Sequence, residues 1–343
     1  MKTSIYIIIV TIGFMLMAAL SMAQDFHMSH YDANPLYLNP ALTGVRMSGE
    51  KDFRFNANYR EQGGQYLGGS YKTVAAGFDT PLDKKFSIGE YVINNKGGSF
   101  NTFNLMASGS YKIVNKNSES GSYHNLSVGL QLGLLQKSFN SLNLVYDSQY
   151  SSLAPDGFDP NLPSGENIST ESFFSFDANM GVYYSSVSKN NNSLFGGFSI
   201  YHLTQPNESF IGDMSKTPMR FVLHGGFRLT VSKQLSILPQ FLYMDQAKAN
   251  ELNLGIMSFY KMQGTENEPM LGLSYRNKDA IALHLGLKQK NSIVRISYDI
   301  TTSYLKQYSN GRGGLELSLI LFIGKKKNLP TTIDSSKEGE NLN

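Results

Sequence analysis

Apolar residues recur at every second position through much of the chain. Phe174, Phe176, Ala178, Met180, Val182 and Tyr184 alternate with Ser175, Asp177, Asn179, Gly181 and Tyr183. Leu126, Val128, Leu130, Leu132 and Leu134 alternate with Ser127, Gly129, Gln131 and Gly133. Ile281, Leu283, Leu285 and Leu287 do the same, as do Val294, Ile296 and Tyr298. A period of two sends successive side chains to opposite faces of a strand, whereas helical spacing would scatter these residues. About fourteen such runs start near Phe53, Tyr71, Phe86, Phe103, His124, Phe174, Leu194, Met219, Leu235, Leu252, Met270, Ala280, Ser292 and Leu315. Most suit a membrane crossing, for which a tilted strand needs roughly 9–11 residues. Pro239 lies inside an irregular run and removes a ladder donor, which predicts a bulge or local break. The last run, Gly313–Gly324, sets Leu315, Leu317, Leu319, Leu321 and Ile323 on one face, as suits a closing strand.

The connections carry a second pattern. The three longest, Ser138–Phe173, Thr204–Pro218 and Thr301–Gly313, all follow odd-numbered runs, while Ser232-Lys233 and Lys290-Asn291 make short even ones. Outer-membrane barrels have short periplasmic turns and long outer loops. A secreted β-sandwich or propeller predicts no such parity. Composition agrees with a barrel: 32 Gly, 20 Tyr and 21 Phe, with only 17% charged residues. The expected fold is an all-β transmembrane antiparallel barrel of about fourteen strands over residues 53–324.

Compartment follows from the first residues. Lys2, the apolar run Ile5–Leu20 and the small-residue site Ser21-Met22-Ala23 read as an export signal over residues 1–23, cut after Ala23. No later stretch approaches 18 consecutive apolar residues, which excludes helical spans behind it. The chain has no cysteine, so disulfides, lipoprotein anchoring and thiolate metal sites are excluded. Without Lys2 the balance is 29 Lys+Arg against 27 Asp+Glu, near neutral, with no basic stripe for nucleic acid. Residues 325–343 form a polar tail without periodicity, expected to be disordered in the periplasm.

Between signal and first strand lies QDFHMSHYDANPLYLNPALTG, Gln24–Gly44, with two Asn-Pro pairs. Asn39-Pro40-Ala41-Leu42-Thr43-Gly44 reads as an N-capped turn closed by a glycine. Asn34-Pro35 is expected to open an extended Leu36-Tyr37-Leu38. The segment over residues 24–52 is expected to pack against the periplasmic mouth or the lumen, with Pro35, Leu36, Tyr37, Leu38, Asn39, Pro40 and Gly44 as its contact residues. A fourteen-stranded lumen is too wide for wall side chains alone to fill. The segment and the loop Ser138–Phe173 are both expected to occlude it.

Candidate chemistry is sparse. His27 and His30 form an H-x-x-H with no third ligand nearby, and Asp156, Asp159 and Glu166 lie in a loop whose spacing is not that of an EF-hand. There is no nucleophile-elbow motif, and neither an enzyme nor a cofactor is expected. The charges Asp177, Arg228, Arg276, His284, Lys288, Arg295, Asp299 and Glu316 alternate with apolar neighbours and should face the lumen, because Arg or Lys on the lipid face costs roughly 2–4 kcal/mol at the midplane.

These stretches together resemble the PorP/SprF family of type IX secretion system outer-membrane proteins. The lead QDFHMSHYDANPLYLNPALTG carries the family's opening signature. YREQ at Tyr59–Gln62, GLQLGLLQKSFNSLNLVYDSQY at Gly129–Tyr150, HLTQPNESF at His202–Phe210, GLSYRNKDA at Gly272–Ala280 and ISYDITTSYL at Ile296–Leu305 follow in order. Two departures are Ser29-His30-Tyr31, where the family usually has Ser-Gln-Tyr, and Gly63, where an aromatic often follows the YRxQ motif. The resemblance implies an integral outer-membrane barrel without catalysis, in contact with outer-membrane lipid. Its implied partners are other type IX components and the C-terminal sorting domain of a secreted surface protein such as a gliding adhesin. His202, Gln205 and Pro206, at the start of an outer connection, are the expected partner residues. The competing expectation is a transporter of small hydrophobic molecules, with the N-terminal segment as its hatch.

Overall fold

The computed structural model describes residues 25–45, 53–63, 70–117, 122–140, 144–155, 157–166, 171–210, 212 and 214–324. The expected signal over residues 1–23, Gln24 and the tail over 325–343 lie outside these. Fourteen strands form a closed barrel in which each pairs antiparallel with its sequence neighbours. They are β1 (Phe53–Gln62), β2 (Tyr71–Pro81), β3 (Phe86–Gly97), β4 (Phe100–Asn117), β5 (Tyr123–Phe139), β6 (Ser172–Val187) and β7 (Ser193–Tyr201). There follow β8 (Arg220–Thr230), β9 (Leu235–Gln246), β10 (Ala249–Tyr260), β11 (Glu268–Arg276), β12 (Ala280–Lys288), β13 (Ser292–Thr301) and β14 (Arg312–Ile323). The first and last strands close the ring, from Phe53↔Ile323 to Gln62↔Gly314.

The alternation sets which way each side chain points. On β5, Leu130 is 50% exposed on the outside, while its neighbour Gln131 is wholly buried within. The apolar side is therefore the outer one, as lipid requires, and the buried side is largely polar. On β14, Leu315, Leu317 and Ile323 face out, and Glu316, Ser318, Ile320 and Phe322 face in. Pro239 acts as its chemistry predicts. Pairing of β8 with β9 runs to Gly226↔Gln240 and resumes at Leu229↔Ile237, so the ladder pauses beside the proline without changing register.

The three longest connections, 140–171, 202–219 and 302–311, all emerge at one end of the barrel. By the outer-membrane pattern that end is the outer mouth. The opposite, periplasmic mouth holds the turns 82–85, 188–192, 231–234, 261–267 and 289–291. Residues 25–45 lie inside the barrel, where most are buried and none is exposed.

Candidate functional site

The lumen is the site, and the N-terminal segment is its centre. Both Asn-Pro pairs open helical turns. Asn34 adopts φ −114° and ψ 72°, outside the α region that a following proline disfavours, and Pro35 then takes the first position of a helical turn, Pro35–Leu38. The extended Leu36-Tyr37-Leu38 expected from the sequence is thus overturned. The backbone N–H of Leu38 donates to Asn34 O at 3.0 Å and that of Asn39 to Pro35 O at 3.0 Å. The second pair behaves as expected: Asn39 Oδ1 accepts from the Ala41 N–H at 2.9 Å, capping a turn over Pro40–Leu42. Gly44 follows at φ +67°, and a Cβ there would lie 2.1 Å from Ser87 Oγ.

A buried loop needs partners for its backbone, and the wall supplies them one by one. Gln131 Nε2 donates to Leu36 O at 2.7 Å, the Tyr201 hydroxyl to Tyr37 O at 2.6 Å and Ser199 Oγ to Leu38 O at 3.0 Å. Ser127 Oγ donates to Ala41 O at 2.8 Å, Arg54 Nη2 to Leu42 O at 3.0 Å and Ser110 Oγ to Thr43 O at 2.7 Å. Asn39 is wholly buried, and its Nδ2 donates to Val182 O at 2.9 Å. The approach is close enough to require glycine in the wall. A Cβ on Gly129 would sit 2.3 Å from the Pro40 carbonyl carbon, and one on Gly181 would sit 2.1 Å from Asn39 Oδ1. Apolar packing completes the seat: Leu38, Ala41 and Leu42 pack with Tyr183, Tyr201, Val222 and Leu242, while Met28 and Leu36 pack with Tyr91, Ile93 and Met106.

The strand charges expected in the lumen all face inward, and most converge on the segment. Asp299 Oδ2 accepts from Arg60 and Arg276, each at 2.8 Å, and Asp299 Oδ1 accepts from Ser29 Oγ at 2.8 Å. The Glu316 carboxylate receives two successive backbone N–H groups, Ser29 at 2.7 Å and His30 at 3.0 Å, and an ion pair from Arg60 at 3.2 Å. Arg295 holds Asp32 through two hydrogen bonds of 2.9 Å. His284 bonds to Ser274 Oγ at 2.9 Å, with its ring 5.3 Å from that of His30. Arg228 stands apart, nearer the periplasmic mouth, stacked 3.9 Å over Phe259. Lys288 pairs with Glu268 at 2.8 Å near the same mouth. Each desolvated charge in the central network has an opposite charge beside it, which is what burial demands.

At the outer mouth a second cluster fixes the beginning of the segment. His202 directs Nδ1 to Asp177 at 2.7 Å and Nε2 to Asp25 at 2.8 Å. Arg220 reaches Asp25 at 3.0 Å, and the Asp25 N–H donates to Gln246 Oε1 at 2.8 Å. Both ring nitrogens of His202 face carboxylates, so the ring serves them best as a doubly donating imidazolium. Burial alone would lower its pKa, but Asp25 and Asp177 outweigh burial and push it up to about 9. Burial likewise opposes the charge of Asp25, yet His202 and Arg220 hold its carboxyl well below the usual range. A histidine with a raised folded pKa adds stability that is complete below its ordinary value and lost as pH rises through the folded one. The outer end of the segment is therefore expected to hold firmly at pH 6 and loosen between pH 7 and 10. Hydrogen exchange at residues 25–28 reports this, and a flat profile across that window would count against an imidazolium.

Gln205 and Pro206 do not reach the lumen. The Gln205 N–H donates to His202 O at 3.0 Å, and Pro206 O accepts from Thr217, so both shape the 202–219 connection itself. The loop expected as second occluder folds on itself. Gln149 Nε2 donates to Leu162 O at 2.9 Å, the Asp159 N–H donates to Gln149 O at 2.8 Å, and Asp159 is engaged by Asn161. The space-filling element described in the lumen is residues 25–45. His27 and His30 do not converge: His27 pairs with Glu251 at 3.1 Å, and His30 lies near Glu316. Among the described residues, no group of three or more His, Cys, Asp or Glu is placed to hold a metal.

Several residues of the site escape sequence reasoning. Arg54 and Arg60 alternate with Phe53, Phe55, Ala57 and Tyr59 on β1, and that pattern already marks them as inward. Arg220, between Met219 and Phe221 on β8, shares that signal, whereas Asp25 and Asp32 carry none, because their partners lie 177 or more residues away.

Comparison with known proteins gives one family match. A model described as type IX secretion system membrane protein PorP/SprF matches residues 20–319. No curated protein compared with the chain matches it. Solved structures similar to it include the Ralstonia pickettii toluene transporter TbuX, with 13% identity, 83% of this chain and 92% of that chain covered and a TM-score of 0.46. A Pseudomonas aeruginosa FadL homologue gives 13% identity, the same coverages and 0.43. The KdgM porin gives 9% identity, 78% and 98% coverage and 0.36.

Proposed function

The chain belongs to the PorP/SprF family of type IX secretion system membrane proteins, and on that premise we propose that it is a plugged outer-membrane anchor for a secreted surface protein. Its outer connections, 202–219 first among them, hold the C-terminal sorting domain of a large passenger such as a gliding adhesin at the cell surface. Other type IX components deliver that passenger. Residues 1–23 serve as the export signal.

The observation that carries this reading is the filled lumen. Residues 25–45 are bonded to wall side chains on β1, β4, β5, β7, β8, β13 and β14 and to a backbone carbonyl on β6. A barrel so occupied is no conduit for a folded domain, so a secretion role for it lies at the outer face. The buried acids and bases support a structural rather than catalytic lumen, since they neutralise one another. The transporter reading would need the segment to yield a ligand chamber, and the segment is instead tied to the wall along its length.

Excising residues 204–218, which leaves His202 in place, is expected to release the passenger into the medium while the barrel stays in the membrane. Immunoblots of medium and cell fractions read the outcome. Full retention of the passenger on cells would remove this connection from the proposal.

A further inference from the structure

The segment has a direction. Its beginning is bonded at the outer mouth: Asp25 to His202, just after β7, to Arg220, first residue of β8, and to Gln246, last residue of β9. His27 pairs with Glu251 near the same end of β10 and lies 3.7 Å from Asp279 in the β11–β12 turn. Its end is bonded at the periplasmic mouth, where the Gly44 N–H donates to Asp79 at 2.5 Å and Arg54 holds Val45 O at 2.9 Å. The chain thus crosses the lumen from the outer side inward before it enters β1.

We propose that residues 25–27 belong to the cell-surface interface of the barrel and form one docking surface with the 202–219 connection. This rests on the reading of that connection as the passenger's seat. His202 is the shared piece. It is the first residue of the connection, and it grips Asp25. Its backbone lies at φ +59° and that of Gln205 at +45°, a region that residues other than glycine seldom adopt. The carboxylates of Asp25 and Asp177 on its two ring nitrogens hold that turn in place. The rim of this surface carries the partly buried charges Asp25, His27, Glu251 and Asp279 and the Lys137–Glu208 pair at 2.5 Å, while Arg220 is itself buried. It suits a polar protein domain arriving from outside. A domain that moves the connection moves His202, and through it the outer end of the segment. Periplasmic proteins do not reach this surface, because the lumen between is filled.

The chain has no native cysteine, which permits single-cysteine reporters. Phe26→Cys on intact cells is expected to react with a membrane-impermeant maleimide polymer. Leu153→Cys, 94% exposed in the β5–β6 loop, is the outer control, and Leu82→Cys, 62% exposed in the β2–β3 turn, is the periplasmic one. Adding Asp25→Asn is expected to speed labelling of Phe26→Cys about tenfold by freeing the outer end. Should that variant fail to assemble, as judged by gel migration of unheated barrel, His202→Gln replaces it. Labelling of Phe26→Cys only after the outer membrane is opened, or a rate that neither variant changes, would overturn the inference. Labelling of Leu82→Cys rather than Leu153→Cys on intact cells would instead overturn the orientation. If the 204–218 excision leaves the passenger in place while Phe26→Cys still labels from outside, the seat is wrong and the exposed end stands.

Discussion

Deleting residues 25–44 is expected to turn a closed barrel into a conducting one. In planar bilayers the intact protein should pass little current, and the deletion should raise single-channel conductance by an order of magnitude. The expectation follows from what the deletion uncovers. Gln131, Ser127, Ser110, Ser199 and Tyr201 donate to the segment's carbonyls. With the segment gone they face an open bore and bond to water, which costs the wall little. The ring itself is closed by β1 and β14 and does not depend on the segment's hydrogen bonds. The same gels that detect folded barrel would verify assembly. Conductance equal to that of the intact protein would show that the segment is no plug.

In the sequence that bore is legible as a polar inside with an expected occupant, but without the contacts that hold the occupant there. Alternation along β6, β12, β13 and β14 by itself places Asp177, His284, Arg295, Asp299 and Glu316 on the inner face. The reason is local: a two-residue period in a strand needs no knowledge of partners. Partners were another matter. Glu316 meets the backbone of Ser29 across 287 residues of chain, and no local rule carries that distance. Alternation sets Gly129 and Gly181 on the inner face, but nothing local says that they clear room for Pro40 and Asn39. The Pro35–Leu38 turn was misread for a different reason. The rule for a residue before proline correctly kept Asn34 out of the α region, but it says nothing of the residues after the proline, which were free to turn.

The second large effect is expected from Asp299→Asn. Asp299 is 1% exposed and neutralises two arginines, Arg60 and Arg276, that are themselves almost wholly buried. Removing it leaves Arg60 to Glu316 and Arg276 to the partly exposed Asp279, so two desolvated cations lose the counterion they share, at a cost of up to about 3–5 kcal/mol. The thermal unfolding midpoint of the barrel should fall markedly, and the segment should become sensitive to protease. A companion variant separates charge from shape: Asp299→Asn with Arg276→Met restores the balance and should recover much of the loss. Lys72→Ala offers the contrast. Lys72 and Glu61 pair at 3.5 Å with side chains 50% and 40% exposed, so water screens the pair and its loss should barely move the midpoint. Equal effects from the buried and exposed sites would mean that the central network is hydrated.

The reach of that network also sets the order in which the molecule can be built. Ser29 is made early, and the two carboxylates that hold it stand on the last two strands, 270 and 287 residues further on. Its seat does not exist until β13 and β14 have arrived, by which time β14 is also the strand that zips to β1. Loop-closure entropy must be overcome before such distant contacts reward it, so this is a slow and late step. A chain halted before β13 would lack more than a seam. Residues 25–45 would have polar backbone and apolar side chains ready, with nowhere to put them. Such a half-built wall is a natural substrate for a periplasmic chaperone or protease, and the filling of the lumen marks the moment at which the protein ceases to be one.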